Sequence, residues 1–256
     1  IVDAGGDLDY VLTLPRMIGV TPVRGPADHD DTASINAAMT AAGVGGVIAL
    51  GGGVDVVGDV PPRPTGAAAA AAGHVVRGMR RLVLDPLVGN PKARCVLLGS
   101  GAILHEALAA RELLAADFAI DATVFSVTSW SALAREGAAY ERSRLFADGQ
   151  DALPHATALI ATTQGPVLGA SDYVRAVPES IRAAMPAGRR YATLGTDGFG
   201  RSDSRAALRQ FFEVDRYWMV AHALRLLAED GALARSVVDA AIERYGLADR
   251  GVPWQR

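Results

Sequence analysis

Few residues in this 256-residue chain combine chemically capable side chains with a spacing that lets them act together. Asp28-His29-Asp30-Asp31 has ligand-type side chains, but consecutive residues do not easily converge on one ion. The run reads as a solvated turn or a helix start. The five histidines are scattered, and none stands beside a serine or cysteine in a nucleophile motif. Cys95, inside an apolar run, reads as a small core residue rather than a thiolate. The densest set comes late, in Leu194-Gly195-Thr196-Asp197-Gly198-Phe199-Gly200-Arg201-Ser202-Asp203-Ser204-Arg205. A glycine-rich turn between a strand and a helix can cradle phosphate on its backbone N–H groups. This one lacks the Lys-Ser/Thr pair of one phosphate motif and the spacing of the other. That favours a tight crossover turn in which Asp203 or Ser204 caps the next helix. Two arginines flanking an acid can also dock on neighbouring protein through charge-assisted hydrogen bonds. The interface candidates are therefore Asp197, Phe199, Arg201, Asp203 and Arg205; no catalytic, cofactor-binding or metal-binding residue is expected.

The elements that must position this loop alternate along residues 93–256. Cys95–Leu98 reads as a short buried strand ending in Gly99-Ser100-Gly101. A helix follows with Ile103, Ala107, Ala110 and Leu114 at helical spacing. Further strands are predicted at Ala122–Val127, Val167–Ala170 and Tyr191–Leu194, with helices over Ser131–Phe146 and Tyr173–Met185 between them. Two closing helices are predicted to end at Gly231 and Gly246, each suited to a left-handed cap. Trp218, Ala221, Leu224 and Leu227 form a helical stripe that reads as core. Strands separated by helices of this length imply an α/β fold, a mostly parallel sheet covered on both faces.

Upstream, Pro61-Pro62-Arg63-Pro64 reads as an extended connector, leading through the run Ala67–Ala72 into a 61–92 linker. Residues 1–60 are rich in glycine and aspartate, with strands conceivable at Tyr10–Leu14 and Val47–Leu50 and a helix over Thr32–Ala42. They are expected to add little stability. Net charge is −3, which argues against nucleic-acid binding. A single cysteine excludes an intrachain disulfide, and no apolar run approaches the ~20 residues of a membrane span. No signal peptide is visible, so a cytoplasmic protein is expected, and Ile1 in place of Met suggests processing or truncation.

The loop at 194–205, with Phe211-Phe212-Glu213-Val214-Asp215 after it, resembles the C-terminal domain of homodimeric, thiamine-diphosphate-dependent pyruvate dehydrogenases. Leu97–Leu104, Ser126–Trp130, Leu133–Gly137, Ala170–Tyr173 and Ala240–Gly246 continue the resemblance in order, over about three quarters of the chain. It implies a transketolase C-terminal-like fold that serves subunit packing and active-site architecture. It also implies a homodimer, a lipoyl-bearing acetyltransferase as partner, and thiamine diphosphate with Mg in the complete enzyme. The family's cofactor domain carries Gly-Asp-Gly and, later, paired asparagines. Here Asp197-Gly198 lacks the leading glycine and those asparagines. The chain alone is thus expected to bind no cofactor and to be inactive without the missing domains. The alternative is a stand-alone dimerisation or regulatory module of the same fold. A second, shorter resemblance joins Asp30–Ala38 and Gly45–Leu50 to the entry segment of β-helix polysaccharide lyases. The many short strands of a solenoid do not follow it.

Overall fold

A computed structural model describes residues 22–23, 49–50, 73–82, 84–146 and 152–255. The chain divides into two compact units, Ile1–Gly73 and His74–Arg256. In the first, β1 (Pro22–Val23) and β2 (Ala49–Leu50) pair in parallel. β2 falls inside the strand predicted over Val47–Leu50. The strand at Tyr10–Leu14, the helix over Thr32–Ala42, the run Asp28–Asp31 and the Pro/Ala-rich stretch 61–72 lie outside the described residues.

The second unit is built on β3 (Met79–Arg81), β4 (Ala93–Ser100), β5 (Ile120–Val127), β6 (Val167–Ala170) and β7 (Tyr191–Leu194), in the order β3-β5-β4-β6-β7. Four strands are parallel, and β3 alone runs antiparallel on the edge. β4 holds the centre because Cys95–Leu98 is apolar on both sides, as a strand covered on two faces must be. Its side chains alternate with a period of two. Cys95 and Leu97 join one core with α1 (Ile103–Phe118), α6 (Arg216–Glu229) and α7 (Arg235–Arg244). Val96 and Leu98 join the other with α2 (Trp130–Ser143) and α3 (His155–Ala161). Burial pushes the Cys95 thiol up to about 12, with Asp121 adding to the shift, so it is an inert core group.

The helix ends follow local chemistry. Ser129 caps α2 by accepting from Ala132 N–H, and Asp215 caps α6 by accepting from Tyr217 and Trp218. Gly231 and Gly246 take φ of 74° and 61° beyond α6 and α7, as predicted. In the stripe on α6, Ala221, Leu224 and Leu227 are buried and Trp218 is half-buried.

Two predictions require correction. The helix over Tyr173–Met185 is instead a short α4 (Ala176–Glu179) followed by a 3-10 turn at Arg182–Ala184. The Tyr173 carbonyl is committed to Thr196 N–H at 2.9 Å, and Pro178 has no N–H to extend a helical ladder. The 61–92 segment is also more than a linker from His74 onward, because β3 belongs to the sheet. Met79 is fully buried and pairs opposite Val127, and its carbonyl lies 2.8 Å from His155 Nε2. A three-residue edge strand is too short to show a period.

Two measurements check this assignment. A chain starting at His74 is expected to unfold cooperatively, at the thermal midpoint of the second unit in the full chain. Met79→Ala is expected to cost about 2–5 kcal/mol, read as a lower urea midpoint at constant m-value. A cost near zero would return β3 to the linker.

Candidate functional site at the carboxyl edge of the sheet

Open α/β sheets present their functional loops beyond the carboxyl ends of their strands. Here β4, β6 and β7 end side by side and are tied together by small polar groups. The buried Ser100 hydroxyl donates to Ser171 Oγ at 3.1 Å, and Ser171 Oγ also accepts from Tyr173 N–H. Thr196 N–H donates to the Tyr173 carbonyl at 2.9 Å and its hydroxyl to the Asp172 carbonyl at 2.6 Å. The loops after β6 and β7 meet so closely that a Cβ on Gly195 would lie 2.4 Å from Arg175 N. Gly195 is therefore required by sterics, and nothing in the contact calls for a phosphate.

The five interface candidates divide by what they touch. Asp197 accepts from Arg175 N–H at 2.8 Å, and its other oxygen lies 3.8 Å from Arg175 Nε, so it latches the two loops. Arg201 lies over the Phe211 ring, 4.2 Å from its centroid. Asp203 accepts from Ser204 N–H, but the cap of α5 (Arg205–Phe211) is Ser204, whose Oγ accepts from Ala207 N–H. Arg205 is exposed on the first turn of α5. Phe199 is 93% exposed.

A cleft of about 480 Å³ lies between the starts of α1 and α5, with Arg201, Arg205, Arg209, Asp172 and Thr196 in its lining. Behind it stands a group that sequence reasoning missed. Glu106 is 3% exposed, yet its carboxylate accepts from Arg209 at 2.8 Å and from the Arg216 guanidinium at 2.9 and 3.1 Å. It also accepts from Arg216 N–H at 3.0 Å. Burial alone would raise this carboxyl. The Arg216 hydrogen bonds and the charges of Arg216 and Arg209 outweigh it and hold the group below the ordinary carboxylate range. The available signal was an acid three residues after Ile103, on the apolar face of α1, where a charge must find a partner.

Among the described residues no group of three His, Cys, Asp or Glu side chains can hold a metal ion, and no helix is long and apolar enough to cross a membrane.

Residues 86–215 match the transketolase-like C-terminal domain family. The pyruvate dehydrogenase E1 component of Cupriavidus necator is 46% identical over 175 residues, 68% of this chain and 19% of that protein. The E1 component of Mycolicibacterium smegmatis is 47% identical over 154 residues, covering 60% and 16%. That of Escherichia coli is 39% identical over 172 residues, covering 66% and 19%. The chain thus spans under a fifth of the length of these curated relatives. Among solved structures, transketolase from Leishmania mexicana aligns with a TM-score of 0.39 at 18% identity, over 86% of this chain and 27% of that one.

Glu106→Ala would strand two guanidiniums. It is expected to cost about 3 kcal/mol in denaturant unfolding, the low end for a broken buried pair because both arginines keep some solvent. Because the folded carboxyl is depressed, its stabilisation is complete above the ordinary value of about 4.3 and is lost as pH falls through the folded value. Glu106→Gln is expected to lose less stability than the parent as pH falls from about 4.3. Parallel acid-unfolding curves for the two would contradict the assignment.

Proposed function

Because the chain belongs to the transketolase-like C-terminal domain family, we propose that it is the C-terminal domain of a thiamine-diphosphate-dependent pyruvate dehydrogenase E1 component. Identity of 39–47% to E1 components over 60–68% of the chain supports the reading. In the complete enzyme, thiamine diphosphate and magnesium supply the decarboxylation chemistry. The residues here serve packing and orientation. Asp197 and Gly195 set the loop on the carboxyl edge of the sheet, and the loop presents Phe199 to a second copy of the enzyme or to its cofactor domains. The lipoyl-bearing acetyltransferase receives the acetyl unit from the whole enzyme in the cytoplasm. The chain alone does not catalyse, since the diphosphate, metal and ring-activating groups of the family lie in domains whose motifs its sequence lacks.

The observation that carries the docking role is the exposure of Phe199. An aromatic side chain 93% exposed beside the carboxyl edge of the sheet suits an anchor that fills a partner's pocket. Phe199→Ala is expected to weaken self-association, or assembly with the cofactor and middle domains of the C. necator E1 component supplied in trans, by about tenfold, or about 1.4 kcal/mol. The thermal midpoint should not move. Sedimentation velocity over a dilution series measures this, and an unchanged dissociation constant would reduce the loop to a structural turn. Calorimetric titration of the chain with thiamine diphosphate and magnesium is expected to show no saturable binding at micromolar concentrations. The nucleotide sequence upstream of Ile1 separates the remaining alternative. An in-frame cofactor domain supports the enzyme, and a stop codon followed by a new start supports a stand-alone module.

A further inference from the structure

The turn that enters the sheet of the second unit carries a titratable pair that the docking role does not use. Residues 73–76 are helical, and β3 begins three residues later. β3 is an edge strand whose even-numbered residues face β5. Thr128 N–H donates to the Gly78 carbonyl at 2.9 Å, and Leu82 N–H donates to the Val124 carbonyl at 3.0 Å. The Met79 carbonyl therefore points off the edge, away from β5. His155, 2% exposed at the start of α3, closes that edge with its Nε2 2.8 Å from the carbonyl. His74 is half-buried and stacks on His155, with ring centroids 5.0 Å apart and 20° between the planes. Its Nδ1 lies 3.4 Å from the same Nε2.

A carbonyl only accepts, so His155 Nε2 carries the hydrogen and His74 Nδ1 faces it with a lone pair. A proton taken up by His74 at Nδ1 sets N–H against N–H. A proton taken up by His155 goes to its Nδ1 and leaves a cation almost closed off from water. The other charged groups that face His155 are Arg77 of the entry turn and Glu136 of α2, and α3 carries no further titratable side chain. Glu136 accepts from the Arg77 guanidinium and, at 3.0 Å, from His155 N–H, so it ties the entry turn to the start of α3 as well. We propose that the stacked His74–His155 pair is an acid-sensitive clasp: neutral, it pins the entry turn and β3 to α3, and protonated, it frees them. Burial lowers the His155 imidazole below its ordinary range. Arg77 and His74 lower it further, and the Met79 carbonyl and the Glu136 charge do not make up the difference. Because the folded imidazole titrates below the unfolded one, its stabilisation is complete above the ordinary value of about 6.5 and is lost as pH falls through the folded value.

The test is amide hydrogen exchange on the 256-residue chain at about pH 7.5 and about pH 5.5, either side of the ordinary histidine value, with rates corrected for intrinsic pH dependence. The Arg80 and Leu82 amides are expected to lose about fivefold in protection at the lower pH, the equilibrium equivalent of one net hydrogen bond. The β4 amides should keep theirs, which shows that the sheet is intact. His155→Gln keeps a donor for the Met79 carbonyl without a titrating ring and should abolish the loss. His74→Phe keeps the stack and should reduce it. Phe199→Ala should leave the pH response unchanged, so failure of docking and failure of the clasp are read separately. Imidazole nitrogen shifts by NMR test the parent without substitution: at the higher pH both rings should carry their hydrogen on Nε2. A His155 hydrogen on Nδ1 at that pH, no loss of β3 protection in the parent, or equal losses in the parent and His155→Gln would overturn the proposal.

Discussion

A single buried carboxylate, Glu106, governs the half of the molecule that carries the candidate site. It stands on the first turn of α1 and holds Arg209 of α5 and both the side chain and the N–H of Arg216, where α6 begins. A charge removed from water this far persists only with partners of opposite sign and full hydrogen bonding, and it has both. The consequence is positional. α5 and the start of α6 are tied to the helix that follows the central strand, so the loop preceding α5 receives a fixed far end. Its near end is fixed by Asp197 on Arg175 and by the close approach of Gly195 to Arg175. Between those two anchors the chain exposes Phe199.

The sheet beneath supplies the frame for these ties. β4 is buried on both faces, so its two neighbours in the sheet and its two helix layers are all in contact with it. The serine pair at Ser100 and Ser171 joins the ends of β4 and β6 where apolar packing stops and the loops begin. Replacing water by such mutual hydrogen bonds keeps the strand ends level without leaving buried polar atoms unmatched. The same edge then offers an exposed aromatic and an arginine-lined cleft.

The sequence by itself determined the α/β class, the four parallel strands, the two glycine-ended helices and the family resemblance. Each of these rests on contiguous patterns, namely apolar runs, 3.6-residue spacing and motif order, that a chain displays before it folds. Ser204 rather than Asp203 as the cap of α5, the break of the helix expected over Tyr173–Met185, and the capture of Met79 by the sheet were decided by the tertiary structure. So was the pairing of Glu106 with Arg209 and Arg216, which are more than one hundred residues distant in sequence. In each case the deciding partner came from another part of the chain: the Thr196 N–H for the Tyr173 carbonyl, Val127 for Met79, two guanidiniums for one acid. Local pattern records what a segment prefers. A buried polar group or an edge strand takes its final state from whichever distant group satisfies its hydrogen bonds, and that is set only when the elements pack.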